Sequence, residues 1–203
     1  MKIALLGATG NVGSRLVTEL VGRGHRVTAI ARHPEKLTPQ KNVTLAAGDV
    51  SNEDALAATL AGHDAVIHSV NFVHTDAAKV IAATRKANVP RLLVVGGASS
   101  LEVAPGLLLV NAPNFPAAYK TEALAGQAFL SRLREEKQLD WTYLSPSAFF
   151  APGERTGKFR LGKDQLLVAA DGQSHISMED FAIAMVDELE NPKHLRERFT
   201  VGY

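Results

Sequence analysis

Short apolar runs alternate with longer amphipathic segments along most of the chain. Apolar residues recur at helical spacing between the runs, and this alternation is typical of a parallel sheet with helical crossovers. Right-handed crossovers then predict an α/β fold, a doubly wound parallel sheet with strand order 3-2-1-4-5-6. The six runs interpreted as strands are Lys2–Leu6, Arg26–Ala31, Val43–Ala46, Ala65–Ser69, Leu92–Val95 and Trp141–Leu144.

The ends of the predicted helices carry suitable residues. Gly22 and Gly24 end the first helix, and Glu53 and Asp54 supply acidic residues to the first turn of the second. The fourth helix is the longest and is rich in alanine and leucine. The predicted helices are Asn11–Arg23, Ser51–Gly62, Thr75–Asn88, Asn114–Lys137 and one that begins at Ser177.

A glycine motif, Gly7-Ala8-Thr9-Gly10-Asn11-Val12-Gly13, directly follows the first strand. Glycines permit a tight turn there and let backbone amides approach a phosphate, while the helix amino end offers unpaired N–H groups to the anion. This arrangement is typical of a Rossmann-type fold that binds a dinucleotide. The pyrophosphate-binding residues predicted from the motif are Gly7, Thr9, Gly10, Asn11, Val12 and Gly13.

The end of the second predicted strand indicates which nicotinamide cofactor binds. Arg32 stands where NAD-preferring folds place a carboxylate, and its guanidinium suits a 2′-phosphate, so the sequence predicts NADPH, with NADH as the alternative. A solvated turn arginine without a ligand is the other interpretation. Further cofactor contacts are predicted for Asp49 and Val50 at the adenine, and a plain turn with a solvated Asp49 is the alternative. Ser69, Val70, Asn71 and Pro146 are predicted to lie toward the nicotinamide.

The sequence changes character after Leu144. Residues 145–163 are rich in proline, glycine and basic residues, and the chain then returns to a helix and a final strand, Phe199–Gly202, which is expected to join the sheet. We therefore predict one NAD(P)-binding domain over residues 1–203, in which residues 145–203 form a small carboxyl-terminal lobe on the substrate side.

Composition excludes several other classes of function. The 203 residues include 22 Lys and Arg against 21 Asp and Glu, a net charge of +1, so bulk charge favours neither nucleic acid nor an anionic membrane as partner. There is no cysteine, and the seven histidines show no metal-ligand spacing, so no metal site is predicted. The first apolar stretch is too short for a signal peptide, which makes a cytoplasmic location the expectation.

The chain resembles the short-chain dehydrogenase/reductase superfamily but lacks its usual acid–base pair. In typical members a Tyr-x-x-x-Lys pair on one helix moves the substrate proton. Here Lys120 directly follows Tyr119, and Ala123 and Ser147 occupy the fourth positions after Tyr119 and Tyr143. Adjacent helical residues point about 100° apart, so Lys120 does not suit that geometry. Carbonyl reduction of the usual kind is therefore disfavoured.

An atypical branch of the superfamily matches better: the NAD(P)H-binding proteins of the NADH–flavin reductase type, related to biliverdin-IXβ/flavin reductases and to nitrogen-metabolite-repressor-type proteins. The resemblance covers essentially the whole chain. It is carried by the segments Gly7–Gly10, Arg32–Lys36, Gly48–Val50, Asp140–Thr142, Ser145–Ser147, Pro152–Gly157, Ile176–Asp180 and Arg198–Val201.

This resemblance implies oxidation of NAD(P)H with a flavin or quinone as acceptor. Such a ring spreads the incoming charge through its own π-system, and solvent can supply the later proton, so no tuned tyrosine is needed. Flavin is then expected as a substrate rather than a bound prosthetic group. The pocket residues predicted are Ser99 and Tyr119 near the nicotinamide, Phe149 as ring platform, and Arg155 and Arg160 for an acidic group of the acceptor.

Other interpretations of the sequence stay open. A regulator that senses NADP(H) without turnover would also lack the Tyr-x-x-x-Lys pair. An epimerase or dehydratase is the third interpretation, and the absence of a catalytic base counts against it as well. Arg155 and Arg160 could equally be solvated loop residues, and Phe149 could belong to a lid or to the core. The expected partner is a small aromatic acceptor, and a homodimer is possible because long helices on such sheets often pair.

Overall fold

The structure, a computed structural model, describes residues 1–37 and 39–203. Within them the chain alternates strands and helices from its first residues to its last. The strands are β1 (Lys2–Leu6), β2 (Arg26–Ala31), β3 (Val43–Ala47), β4 (Ala65–His68), β5 (Arg91–Val95), β6 (Glu102–Ala104), β7 (Leu107–Leu108), β8 (Asp140–Ser145), β9 (Phe149–Ala151), β10 (Arg160–Gly162), β11 (His175–Ser177) and β12 (Glu197–Gly202). The α-helices are α1 (Asn11–Gly22), α2 (Glu53–Leu60), α3 (Ala77–Lys86), α4 (Lys120–Glu135) and α5 (Met178–Glu190).

A central sheet of eight strands has the order β10-β12-β8-β5-β4-β1-β2-β3. All neighbouring strands run parallel except the β10–β12 pair at one edge. The predicted Rossmann-type order is thereby confirmed, and the final strand joins beside β8. The order of connection reverses between β1 and β4, and a crevice at the carboxyl ends of such a pair of strands is where Rossmann-type folds bind ligands.

Both faces of the sheet are covered by helices, which explains why its central strands are continuously apolar. Ile3 and Leu5 of β1 belong to the core that contains the buried side chains of α1 and α5. Ala4 and Leu6, one residue out of phase, belong to the opposite core with α2, α3 and α4. The alternation of side chains along β1 therefore divides the interior into two layers.

The start of the fourth helix differs from the prediction. The sequence pattern begins it at Asn114, whereas α4 begins at Lys120 after a separate 3₁₀ turn, Ala117–Tyr119. Pro116 lacks an amide hydrogen and disfavours helical backbone in Phe115, the residue before it, so the helix does not begin at Asn114.

The carboxyl-terminal segment 145–203 contributes to the main layers and also to a small appendage. Strand β12 lies in the central sheet, and α5 packs beside α1. Strands β9 and β11 pair in parallel as a separate two-stranded sheet, and β6 and β7 form another. In the described part of the chain, every helix is too short or too polar to cross a bilayer.

Candidate functional site

The turn after β1 depends on glycine at its first position. Gly7 has a φ of 81°, a left-handed conformation that residues with a Cβ rarely adopt. Its amide donates to the carbonyl of Ile30 in β2 at 2.9 Å. A Cβ on Gly7 would overlap the backbone carbonyl of Ser69, so this turn lies directly against the segment that follows β4.

The amino end of α1 is left open toward the crevice. Gly10 precedes the first helical residue, and no side chain caps the helix. The Gly10 amide donates to Gly7 O at 3.0 Å, which closes the turn. The amides of the first helical turn, at Asn11, Val12 and Gly13, therefore lack a side-chain acceptor and carry the positive end of the helix dipole. This arrangement can bind the pyrophosphate of a dinucleotide.

A cavity of about 270 Å³ opens in front of this turn. It lies between the Gly7 turn, the end of β2, the loop after β3 and the segment after β4. Many of the predicted cofactor residues meet there, although they come from four separate parts of the sequence. The cavity is lined by Leu6, Gly7, Thr9, Gly10, Ile30, Ala31, Arg32, Gly48, Asp49, Val50, Ser69, Val70, Asn71 and His74.

Sequence reasoning assigned no role to several lining residues. Ile30 and Ala31 end β2 directly before Arg32, and this position in the sequence could have identified them as residues of the cofactor site. A Cβ on Gly48 would lie 2.5 Å from the Ile30 side chain, so glycine there preserves the floor of the cavity. His74 ends a 3₁₀ helix, Phe72–His74, that no local pattern indicated. Only the packing of that turn brings its imidazole to the crevice.

The rim of the cavity carries opposite charges. Arg32 is exposed and makes no ion pair with any residue in the described ranges. Asp49 is also exposed, and its Oδ1 accepts a hydrogen bond from the Ser51 amide at 2.8 Å. That hydrogen bond, assisted by the charge of Arg32, lowers the pKa of Asp49 below its ordinary value. The Asp49 carboxylate is thus an ionised acceptor, and the Arg32 guanidinium is available to an anion.

The residues predicted on the nicotinamide side differ in their surroundings. The Ser99 hydroxyl donates to Ala123 O at 3.0 Å, and the Ser99 carbonyl accepts from the Gln127 side chain at 3.0 Å. Ser99 therefore fixes the loop after β5 to α4. Tyr119 and Phe149 are 67% and 68% exposed, so their rings are accessible. Pro146, the first residue after β8, is buried.

Tyr143 cannot act as the proton donor that the sequence lacks. Its hydroxyl donates to Gly126 O at 3.2 Å and accepts from the Gly97 amide at 3.1 Å. Burial raises the pKa of Tyr143 far above its ordinary value, although the Gly97 hydrogen bond opposes this. The hydroxyl is therefore a neutral structural link between β8, α4 and the loop after β5.

Arg155 and Arg160, which the sequence predicts to hold an acidic group of the acceptor, both form hydrogen bonds to other parts of the chain and do not line the cavity. Two nitrogens of Arg155 bind Glu19 of α1 at 3.0 and 2.9 Å. Arg160 donates to the carbonyl oxygens of Val168 and Tyr203, both at 2.6 Å. Both guanidinium groups are thus engaged in holding the carboxyl-terminal segment against its surroundings.

Comparison with known proteins adds a family to this geometry. Residues 7–192 match the model of a family described as NAD(P)H-binding. The uncharacterized protein YwnB of Bacillus subtilis is 41% identical over 99% of this chain and 98% of its own length.

Two solved structures are similar over the whole chain. A Bacteroides thetaiotaomicron protein provisionally named an epimerase is 45% identical with a TM-score of 0.95, covering 100% of this chain and 96% of that one. A Streptococcus pneumoniae protein provisionally named an NADH-flavin reductase is 33% identical with a TM-score of 0.87, covering 100% and 99%.

Proposed function

Because the chain belongs to the NAD(P)H-binding family, we propose that it is an oxidoreductase that transfers hydride from NADPH to a flavin or quinone ring. The observation that carries the proposal is the cavity at the carboxyl ends of β1, β2 and β4, with an uncapped helix end on one side and the free Arg32 on its rim. An epimerase or dehydratase needs a positioned base, and Tyr143, the buried tyrosine of this region, is fully hydrogen-bonded.

The residues present fit an extended dinucleotide. We assign the pyrophosphate to the amides of Gly10–Gly13, because these donors have no side-chain cap and a Cβ at Gly13 would overlap the Gly7 turn. Arg32 would pair with the 2′-phosphate, which gives the preference for NADPH over NADH. Asp49 and Val50 would contact the adenine.

The nicotinamide side would be formed by the segment after β4 and the loop after β8. Ser69, Val70 and Asn71 follow β4 and line the cavity beyond the glycine turn. Pro146 directly follows β8, which lies two strands from β4 in the sheet. The exposed rings of Tyr119 and Phe149 offer surfaces on which an aromatic acceptor could stack. This placement makes the flavin a substrate that enters and leaves.

The bound cofactor supplies the hydride, and the protein supplies orientation. Bound NADPH would supply a hydride to the acceptor ring and become NADP⁺, and solvent would supply the proton that completes the reduced flavin or quinol. Because the acceptor ring delocalises the added charge, the chain needs no proton donor of matched pKa. Its contribution is to hold the two rings together and to exclude water from between them.

Three further features belong to the same proposal. The near-neutral charge favours a small molecule, rather than nucleic acid or a membrane surface, as partner. We propose a cytoplasmic location, because NADPH-dependent reduction requires a compartment that supplies that cofactor. A homodimer is also proposed, and the elution volume of the purified protein in gel filtration tests it.

The test combines binding and turnover. NADPH and NADH are titrated into the purified protein while nicotinamide fluorescence is recorded, and NADPH absorbance is then followed with FMN, riboflavin and a soluble quinone. We expect saturable NADPH binding and turnover with at least one ring acceptor, and none with simple aldehydes or ketones. Saturable binding without turnover on any acceptor would instead favour an NADP(H)-sensing regulator. Absence of binding would overturn the proposal.

A further inference from the structure

A carboxylate on α4 holds the backbone of the segment that follows β4. Glu122 lies in the first turn of α4, and its Oε1 accepts from the Phe72 amide at 2.7 Å. Its Oε2 accepts from the Val73 amide at 3.0 Å. One carboxylate thus binds two consecutive amides at the start of the 3₁₀ helix Phe72–His74, and both bonds are charge-assisted.

The segment held in this way forms one wall of the proposed cofactor cavity. Asn71 directly precedes the amides that Glu122 binds, and His74 ends the same short helix; both line the cavity. Internal hydrogen bonds make the segment one turn, since the His74 amide and the Thr75 hydroxyl both donate to the Asn71 carbonyl at 3.1 and 3.0 Å. Movement of the Phe72 and Val73 amides would therefore move Asn71 and His74 together.

The anchor for Glu122 is rigid. Phe129, Leu130 and Leu133 of α4 are buried in the core on that face of the sheet. A Cβ on Gly126 would lie 3.0 Å from the Phe72 ring, so helix and segment also touch through apolar atoms. The buried Phe72 ring attaches the segment to the core, and the Glu122 carboxylate orients its backbone amides.

We propose that Glu122 is a positioning residue of the cofactor site: it sets the orientation of residues 71–74 from α4 and does not itself contact the nucleotide. This inference rests on the proposed NADPH binding. Loss of the two hydrogen bonds leaves the ring of Phe72 in place but frees the turn that carries Asn71 and His74. Loss of these bonds should therefore weaken NADPH binding and raise the KM for NADPH, with a much smaller change in the KM for the acceptor.

The test compares Glu122→Gln, Glu122→Ala and Glu135→Gln. Glu135 lies on the same helix and, within residues 1–37 and 39–203, forms its ion pair with the exposed Arg132, so its variant controls for loss of a charge from α4. For each protein the NADPH dissociation constant, kcat, both KM values and the thermal midpoint are measured, with binding and kinetics recorded well below the lowest midpoint. Glutamine keeps one acceptor oxygen, so it serves as the conservative variant and carries the test if the alanine variant does not fold.

The expected result is an ordered loss of affinity. NADPH binding should weaken about tenfold in Glu122→Ala and less in Glu122→Gln, with an unchanged value in Glu135→Gln. The KM for FMN should stay within about twofold, since uniform loss of fold would move both KM values. Unchanged NADPH affinity in folded Glu122 variants would overturn the inference even if their midpoints fall. Failure of the unmodified protein to bind NADPH would instead count against the proposed function.

Discussion

The α-carbon of Gly13 packs directly against the carbonyl oxygen of Gly7, so closely that a Cβ on Gly13 would overlap that oxygen and lie 2.9 Å from the α-carbon of Ala8. Gly7 begins the turn after β1, and Gly13 lies in the first turn of α1. This contact therefore sets the separation between the strand and the helix amino end that faces the cavity.

Gly13→Ala is expected to displace α1 from the turn. The obstructing atoms are backbone and cannot rotate away, so the substitution should cost about 2 kcal/mol of stability and lower the thermal midpoint by about 4–8 °C. Displacement of the helix amides should also weaken NADPH binding about tenfold or more. Thermal unfolding and fluorescence titration measure the two effects.

Gly22→Ala is the matched control in the same helix. A Cβ at Gly22 meets no heavy atom within 4 Å, and its backbone does not require glycine. We expect unchanged NADPH affinity and a thermal midpoint that is equal or slightly higher, because alanine favours helix by about 0.5–1 kcal/mol. Equal losses in the two variants would show that the Gly13 contact has no special role.

Arg32→Gln tests the basis of NADPH preference. If Arg32 pairs with the 2′-phosphate, its removal should weaken NADPH binding about 10- to 100-fold and leave NADH binding nearly unchanged. Arg26→Gln is the control, since Arg26 is exposed at the start of β2, whereas Arg32 directly follows the end of that strand. An unaltered ratio of NADPH to NADH affinity in Arg32→Gln would remove this residue from the 2′-phosphate site.

Tyr119→Phe separates ring stacking from proton transfer. A positioned acid or base contributes about 10²- to 10⁴-fold to a rate, whereas a stacking surface keeps its effect without the hydroxyl. We expect kcat with FMN to change less than about threefold, and Tyr119→Ala to raise KM for FMN. A hundredfold fall of kcat in Tyr119→Phe would establish the tyrosine as an acid–base group and contradict the proposed chemistry.

His68 should make the protein less stable at mildly acidic pH. It is completely buried between the rings of Phe72 and Phe129, and this burial lowers its pKa to about 4. The unfolded chain has a histidine pKa of about 6.5, so between these values the unfolded state binds more protons. Above about pH 6.5 His68 is neutral in both states and does not reduce the free energy of unfolding. As the pH falls from 6.5 toward 4, that free energy decreases by about 3 kcal/mol at most.

Urea unfolding at about pH 7 and about pH 4.5 measures this difference. His68→Leu should reduce the loss of stability on acidification, whereas His74→Gln, which changes an exposed histidine, should leave it intact. If the loss is the same in His68→Leu and in the unmodified protein, other groups are responsible for it.

The sequence predicted those parts of the site that depend on local chemistry. Gly7 and Gly13 could be identified from the sequence because a turn so close to Ser69 and Ala8 has no room for a Cβ. Glycine is the residue without a Cβ, so the requirement is visible in the sequence. The length and spacing of apolar runs likewise predicted the strand order. The predicted start of α4 at Asn114 was wrong because the alanine-rich composition of the segment outweighed Pro116 in the pattern.

The sequence by itself therefore determined the layered fold and the glycine turn, since periodicity and backbone freedom are properties of neighbouring residues. The tertiary structure alone decided which partner each polar side chain meets. Arg155 binds Glu19, 136 residues away, and Glu122 binds the amides of Phe72 and Val73, about 50 residues away. A side chain's charge is fixed by its residue type, but the acceptor or donor that it reaches depends on how distant segments pack.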